Sequence, residues 1–450
     1  MKTGAKRTFL FLQGPPGPLF RRLGAAMTVR GVTVHRINIC GGDVRDWRDP
    51  SATFRGRFSE WPAFVDRFLC EKDVTDLVVF GDCRPYHASA LGLAELRGVR
   101  THVLEEGYLR PDWMTLEPQA VNARSTLPRD SKWFLEEAKR LPAEPDLPSI
   151  TASFRRRARD SYFHYQAVVA GRVFGAFPHY RSHRPGSIPL EGLGWLWKFA
   201  TDKLRLKKTG EVLERIKGAS YFMFPLQLST DYQIRTHSLF PDMQSAATYV
   251  IESFAANAPS DVHLVLKTHP LDSSFFDWHL FVRRIKAKLG LEGRVHIIDG
   301  GNLDHLARDA RGLVCVNSTS ATVALQQGTA VCTVGEAIYD MPGLTHQEHL
   351  DSFWRNPTAP KPGVYEAFRR VLVDRCLVRG GLASESAVEA LVMSILRRLD
   401  VREPQPVTQT NVQPTAKPGV TIPAKQVPSG RPRRLSVLHR SRKNPRRRHG

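Results

Sequence analysis

No two of the chain's six cysteines stand as a CxxC pair; Cys40, Cys70, Cys83, Cys315, Cys332 and Cys376 are scattered singly. A zinc site is therefore not expected. Several lie in apolar runs such as AVCTV and read as small buried hydrophobes, which suits a reducing compartment. No stretch approaches the roughly 20 apolar residues of a membrane-spanning helix. The opening MKTGAKRTFLFLQGPPG pairs a basic cluster with a short apolar run. That run breaks at Gly14-Pro15-Pro16 and has no small-residue cleavage site, so it reads as a first buried strand rather than a secretory leader. The expectation is a soluble or peripheral cytoplasmic protein. The Gly/Pro turn also lacks the Gly-Lys-Ser/Thr of a P-loop, which leaves ATP binding by that route unsupported. With no zinc finger, RNP-like motif or basic strand interleaved with aromatics, no specific nucleic-acid binding is expected.

What is present is enough apolar residue for real cores: 42% of 450 residues, a length suited to two or three domains. Lysine and arginine number 65 against 44 acids, a formal charge of +21. Acidic partners follow from that balance: nucleic acid, anionic lipid or phosphorylated substrates. Roughly half of the excess sits in the last fifty residues, so the rest is only moderately basic.

The run RTFLFLQGPPGPLFRRLGAAMTVRGVTVHRINI alternates a short apolar strand, a Gly/Pro loop, an amphipathic helix, a glycine and a second β-branched strand. This is a β-loop-α-β unit of a parallel sheet. TDLVVFGD and ALGLAELRGVRTHVLEEGY continue the rhythm, which predicts an α/β, Rossmann-like domain over residues 1–125. Residues 126–215 change to WFLEEAKRL, SYFHYQAVVAGRVFG and GWLWKFATDKLRLKK, predicting a helical connector. Its Trp195, Trp197, Lys198, Lys203, Arg205, Lys207 and Lys208 could lie on an anionic lipid surface. YFMFPLQL, HLVLKTHP, VHIID and GLVCVNSTS then predict a second Rossmann-like domain over 216–398. From 399 to 450 the chain is rich in Pro, Gln, Thr and Lys, and a disordered basic tail is expected.

Two such domains facing a cleft place ligands at the carboxyl ends of their strands, and that is where the unusual residues gather. Glu105-Glu106-Gly107 follows Val103-Leu104. Adjacent residues of a strand point to opposite faces, so at most one acid faces a core. At the strand's exit one carboxylate can face the cleft and act as a general base; ordinary solvated acids would look the same. His269-Pro270 ends HLVLKTHP, with Lys267 on the same face by alternation, a pair that could hold a phosphate. Asn317-Ser318-Thr319-Ser320 follows a strand and precedes a helix, offering caps and an anion site in one turn. Gln227-Leu228-Ser229-Thr230-Asp231 ends YFMFPLQL, with Arg235 one turn on; Asp231 is a cap or, in a cleft, a nucleophile. Gly14 and Gly17 place a rigid turn on the cleft rim, and GDCRPYH adds Asp82, Arg84 and His87.

In combination, FLQGPPGPLFRRL, GDCRPYH, EEGYLRPDWMTLE, PLQLSTDYQIRTHS, KTHPLD, VHIIDGG, VNSTSATVALQQG and GEAIYDMPGLTHQ resemble the capsule polysaccharide biosynthesis family, of the KpsS/LipB type. The likeness runs from about residue 8 to 395. It implies a GT-B-like fold and a β-Kdo transferase that moves the acidic sugar Kdo from CMP-Kdo to a phosphatidylglycerol-type lipid with retention, at the inner face of a bacterial inner membrane beside other capsule assembly proteins. An acid is expected where Ser229 stands, so Asp231 takes the carboxylate role alone. On this reading Glu105 or Glu106 is the base and Asp231 the transient nucleophile. Lys267, His269, Ser318 and Thr319 receive the leaving phosphate, Asn317 binds the substrate beside them, and Arg235 or Arg84 holds the donor's carboxylate. No metal and no cofactor beyond the CMP-Kdo substrate are called for. The rival reading is a non-enzymatic component that binds or exports finished polysaccharide.

Overall fold

The computed structural model describes residues 7–402, apart from 145–146, 151, 183–187, 229–231 and 273–275. The expected tail from 399 therefore lies almost wholly outside the described residues. The architecture is α/β and GT-B-like, with two Rossmann-like sheets opening onto a shared cleft.

The strands in chain order are β1 (Thr8–Phe11), β2 (Thr33–Asn38), β3 (Ala52–Thr53), β4 (Asp76–Phe80), β5 (Arg100–Glu106), β6 (Trp113–Glu117), β7 (Tyr221–Pro225), β8 (His263–Lys267), β9 (Val295–Ile298), β10 (Gly312–Cys315), β11 (Ala330–Thr333) and β12 (Leu377–Arg379). The first sheet runs β3-β2-β1-β4-β5-β6-β12, and the second runs β9-β8-β7-β10-β11. The second is parallel throughout. In the first, β6 is antiparallel to both β5 and β12.

Both sheets are apolar on both faces, as parallel strands covered by helices must be. Phe9 and Phe11 of β1 join Leu19, Leu23 and Met27 on one face, while Leu10 and Leu12 join Trp61, Val65 and Leu77 on the other. In β7, Tyr221 and Met223 face one core, and Phe222 and Phe224 the other. Every one of these side chains is buried. Near 25 cal/mol per Å² of apolar surface, such two-sided burial explains why these runs carry no polar alternation.

The chain after residue 376 does not complete the second sheet. Strand β12 pairs with β6, and Val388, Leu391 and Ile395 of helix Glu385–Arg398 pack on Phe9 and Phe11. The helix has an apolar stripe, and the open face of the first sheet is the surface that stripe covers. The segment expected to be a connector is helical, with helices at Ser131–Arg140, Phe154–Val173 and Ile188–Arg215.

Far from the cleft, at the opposite end of the first sheet, Asp76 is fully buried. It accepts bonds from Arg7 Nη2 at 2.6 Å, Thr75 Oγ1 at 2.7 Å, Arg100 Nη2 at 2.8 Å and, with a proton on that nitrogen, His102 Nε2 at 2.8 Å. Burial works to raise this carboxyl's pKa, but the donors outweigh it and hold the group well below the usual range. The stabilisation is thus complete above the unfolded pKa near 4 and is lost as pH falls below it. Asp76→Ala leaves Arg7 and Arg100 without their carboxylate and is expected to cost roughly 3–5 kcal/mol at pH 7, with the gap from wild type closing below about pH 4. Urea unfolding at both pH values checks this; a pH 7 difference under about 1 kcal/mol would refute it.

Candidate active site

In a doubly wound sheet the crevice opens where strand order reverses. That point lies between β1 and β4 in the first sheet and between β7 and β10 in the second. The loops leaving β4, β5, β7, β8 and β10 converge on a cavity of about 360 Å³. Glu105, Glu106, Arg84, His269, Asn317, Ser318 and Thr319 all line it. Five strand ends distant in sequence therefore meet at one site.

The two carboxylates at the end of β5 differ in electrostatic state. Burial pushes Glu105 up to about 7, against the Glu106 N–H, which donates to its Oε1 at 3.1 Å, and against the charge of Arg84. Burial acts on Glu106 in the same direction, but the guanidiniums of Arg157 and Arg110 overcome it and hold that carboxyl below its ordinary value. Arg157, from helix Phe154–Val173, makes a direct ion pair with Glu106. Two acids pushed apart in this way can take separate roles: Glu105 can exchange a proton near neutrality, whereas Glu106 stays a fixed charge.

The turn around Glu105 is shaped by two glycines. Gly81 has φ of +77°, and a Cβ there would press within 3.0 Å of Glu105 Oε2. A Cβ at Gly107 would collide with the Trp113 carbonyl. His87, which burial keeps neutral with a pKa lowered to about 3, donates from Nδ1 to the Gly81 carbonyl at 2.8 Å. His87 is thus a support behind the turn.

Across the cleft, His269 Nδ1 accepts the Leu271 N–H at 3.0 Å, so the neutral ring carries its proton on Nε2. Burial, then the charges of Arg110, Lys267 and Lys198, lowers its pKa to about 4. It is therefore a neutral donor at physiological pH. Lys198 of helix Ile188–Arg215 holds the turn, donating from Nζ to the Pro270 and Asp272 carbonyls at 2.8 Å each.

At the second switch point Gln227 and Asn317 form a reciprocal pair. Gln227 Nε2 donates to Asn317 Oδ1 at 2.8 Å, and the Asn317 N–H donates to Gln227 Oε1 at 3.1 Å. Tyr339 OH donates to the Ser318 carbonyl at 2.6 Å. Thr319 is the N-cap residue of helix Ser320–Gln326 but makes no side-chain cap bond; Ser318 Oγ instead accepts the Ser320 N–H at 3.2 Å. Thr322 Oγ1 reaches the Tyr108 carbonyl of the first half at 3.2 Å.

Other expected site residues are placed elsewhere. Lys267 does not line the cleft: strand alternation ends with β8, and Lys267 is buried beside Asp299 and Lys198, while the turn residue His269 stands on the cleft wall. Gly14 and Gly17 are also off the lining; the Gly17 N–H donates to Asp46 at 3.0 Å, so this turn is tied to its own half. Arg84 lines the cleft but is engaged, with Nη1 at 3.2 Å from Gln13 Oε1 and 3.4 Å from the Gly14 carbonyl. Asp231, Ser229 and Thr230 lie outside the described residues, as does the side chain of Arg235, whose backbone is in helix Tyr232–His237. In the connector, Lys198 and Arg205 turn inward, Arg205 to within 3.8 Å of Asp299. Trp197 remains exposed, as do Lys203, Lys207 and Lys208.

Two lining arginines escaped the sequence reading. Arg110 stands inside the quoted EEGYLRP stretch, four residues past Glu106, and that proximity was the available signal. Arg157 lies fifty-one residues past Glu106, and nothing local marks it.

A family model described as capsule polysaccharide biosynthesis protein matches residues 75–382. The capsule polysaccharide modification protein LipB of Neisseria meningitidis serogroup A is 32% identical over 84% of this chain and 91% of its own. The capsule polysaccharide export protein KpsS of Escherichia coli is 30% identical over 82% and 94%. The solved β-Kdo 2,7 transferase of Thermosulfurimonas dismutans KpsC aligns over 86% of this chain and 99% of its own at 14% identity, with a TM-score of 0.41.

Proposed function

The chain belongs to the capsule polysaccharide biosynthesis family, and from that premise we propose that it is a retaining β-Kdo glycosyltransferase, moving Kdo from CMP-Kdo to a phosphatidylglycerol-type lipid to start the lipid linker of a capsular polysaccharide. The observation that carries this reading is the opposed pair at the end of β5, Glu105 near neutrality and Glu106 ionised, facing the neutral donor His269 and the Asn317–Thr319 turn across one cavity.

CMP leaves as a phosphate monoester, a group that needs hydrogen bonds and positive charge as its bond breaks more than it needs a proton. The Nε2–H of His269 and the hydroxyls of Ser318 and Thr319 supply the bonds. A lipid hydroxyl is a weak nucleophile, and Glu105 takes its proton as it attacks. Retention by double displacement needs a second carboxylate to hold the sugar between the two steps, and Asp231 has that role here. The partition of Glu105 and Glu106 supports Glu105 as the base.

Among the described residues no helix is long and apolar enough to cross a membrane. The acceptor is instead met at the anionic inner face of the bacterial inner membrane. Leu193, Leu196, Trp197 and Leu204 are more than half exposed on the outer side of helix Ile188–Arg215, beside Lys203, Lys207 and Lys208, a face suited to lying in a lipid interface. Other capsule assembly proteins are the natural neighbours of such a product.

The likeness to the capsule polysaccharide export protein of Escherichia coli favours a second reading: a non-catalytic component that binds polysaccharide. Mass spectrometry of the purified protein with CMP-Kdo and a short-chain phosphatidylglycerol analogue separates the two. A mass increase of one Kdo on the lipid with release of CMP is expected. Unchanged lipid beside intact CMP-Kdo would reject the transferase.

A further inference from the structure

Three guanidiniums line the cleft, those of Arg84, Arg110 and Arg157, and two are already spoken for. Arg84 is bonded to Gln13 and Gly14 and lies 5.1 Å over the Phe80 ring. Arg157 is ion-paired to Glu106. Arg110 is exposed to the cavity. Its one bond among the described residues runs from Nε to the Gly107 carbonyl at 3.5 Å, the outer limit of a hydrogen bond. Its terminal nitrogens make no hydrogen bond or ion pair among the described residues, and its charge is felt by Glu106 in the first half and by His269 in the second.

We propose that Arg110 is the specificity-determining residue that receives the carboxylate of an acidic sugar donor. The assignment rests on the CMP-sugar reading above and moves this role from Arg84 and Arg235 to a residue the sequence reading passed over. In a 2-keto acid sugar the carboxylate is attached to the anomeric carbon itself. A planar fork that takes it in two parallel bonds therefore also fixes the orientation of the carbon under attack. Arg157 already neutralises Glu106, so an incoming carboxylate does not contend with a bare acid for Arg110. A neutral sugar nucleotide would leave the fork desolvated and unpaired, which is discrimination by a missing partner.

The test measures CMP affinity by calorimetry and turnover of CMP-Kdo onto the short-chain phosphatidylglycerol analogue, for wild type, Arg110→Met and Arg110→Lys. Arg110→Met is expected to lower kcat/KM for CMP-Kdo by about a hundredfold while CMP binds within about twofold of wild type, and Arg110→Lys to retain about a tenth of wild-type kcat/KM. The unchanged CMP affinity also reports an intact fold. A parallel loss of CMP affinity would assign Arg110 to the phosphate and overturn the proposal, as would kcat/KM for Arg110→Met within about threefold of wild type. A wild type that binds CMP but transfers nothing from CMP-Kdo would instead contradict the transferase reading, and the Arg110 assignment with it.

Discussion

Glu105→Gln is expected to lower kcat by roughly a hundred- to ten-thousandfold, the usual contribution of a positioned general base, with CMP affinity little changed. The wild-type rate should also rise with pH through about 7, because burial raises the Glu105 carboxyl to about that value and only its deprotonated form accepts the hydroxyl's proton. Below that point the rate should fall about tenfold per pH unit, and in the glutamine variant this limb should vanish. Glu106 predicts a different phenotype. Held ionised by Arg157 and Arg110, it adds no limb near neutrality. A pH–rate profile of Glu105→Gln that keeps the wild-type limb would transfer the base role elsewhere.

His269→Ala is expected to lower kcat by roughly a hundred- to thousandfold, as for removal of one donor aimed at developing charge. His269 is neutral above about pH 5 because burial and neighbouring cations lower its pKa to about 4, so no loss of activity between pH 9 and 6 should trace to its protonation. His269→Gln keeps an N–H at similar reach and should recover about tenfold of the loss. Equal rates in the alanine and glutamine variants would show that the ring acts by shape rather than by donation.

Much of this architecture was legible in the sequence. The β-α-β rhythm of residues 8–38 and the apolar runs around Val78, Met223, Leu264 and Val314 mark buried parallel strands, and each becomes one. The strand-end clusters at Glu105, His269 and Ser318 could be read because polar residues directly after an apolar run mark the carboxyl edge of a sheet. Lys267 was paired with His269 because strand alternation was extended two residues past the strand, which ends at Lys267 itself. Gly14 and Gly17 lie at a strand end, but in a turn held by its own half. The return of residues 377–398 to the first sheet carried no local signal either. An amphipathic helix states that it needs an apolar face to cover, not which sheet offers one. The separation of Glu105 from Glu106 was illegible for a similar reason, since it depends on burial and, besides the nearby Arg110, on Arg157, which tertiary packing delivers from another helix.

Hydrogen–deuterium exchange with and without CMP tests most directly whether the two sheets share one nucleotide-sugar site. The account predicts that CMP slows exchange in the amides of Gln227–Leu228, His269–Leu271 and Asn317–Thr322 in the second half. It also predicts slower exchange at Glu105–Arg110 in the first half, with little change around Asp76 at the far end of the first sheet. Protection absent from the cleft, or found only on surfaces away from it, would contradict the account.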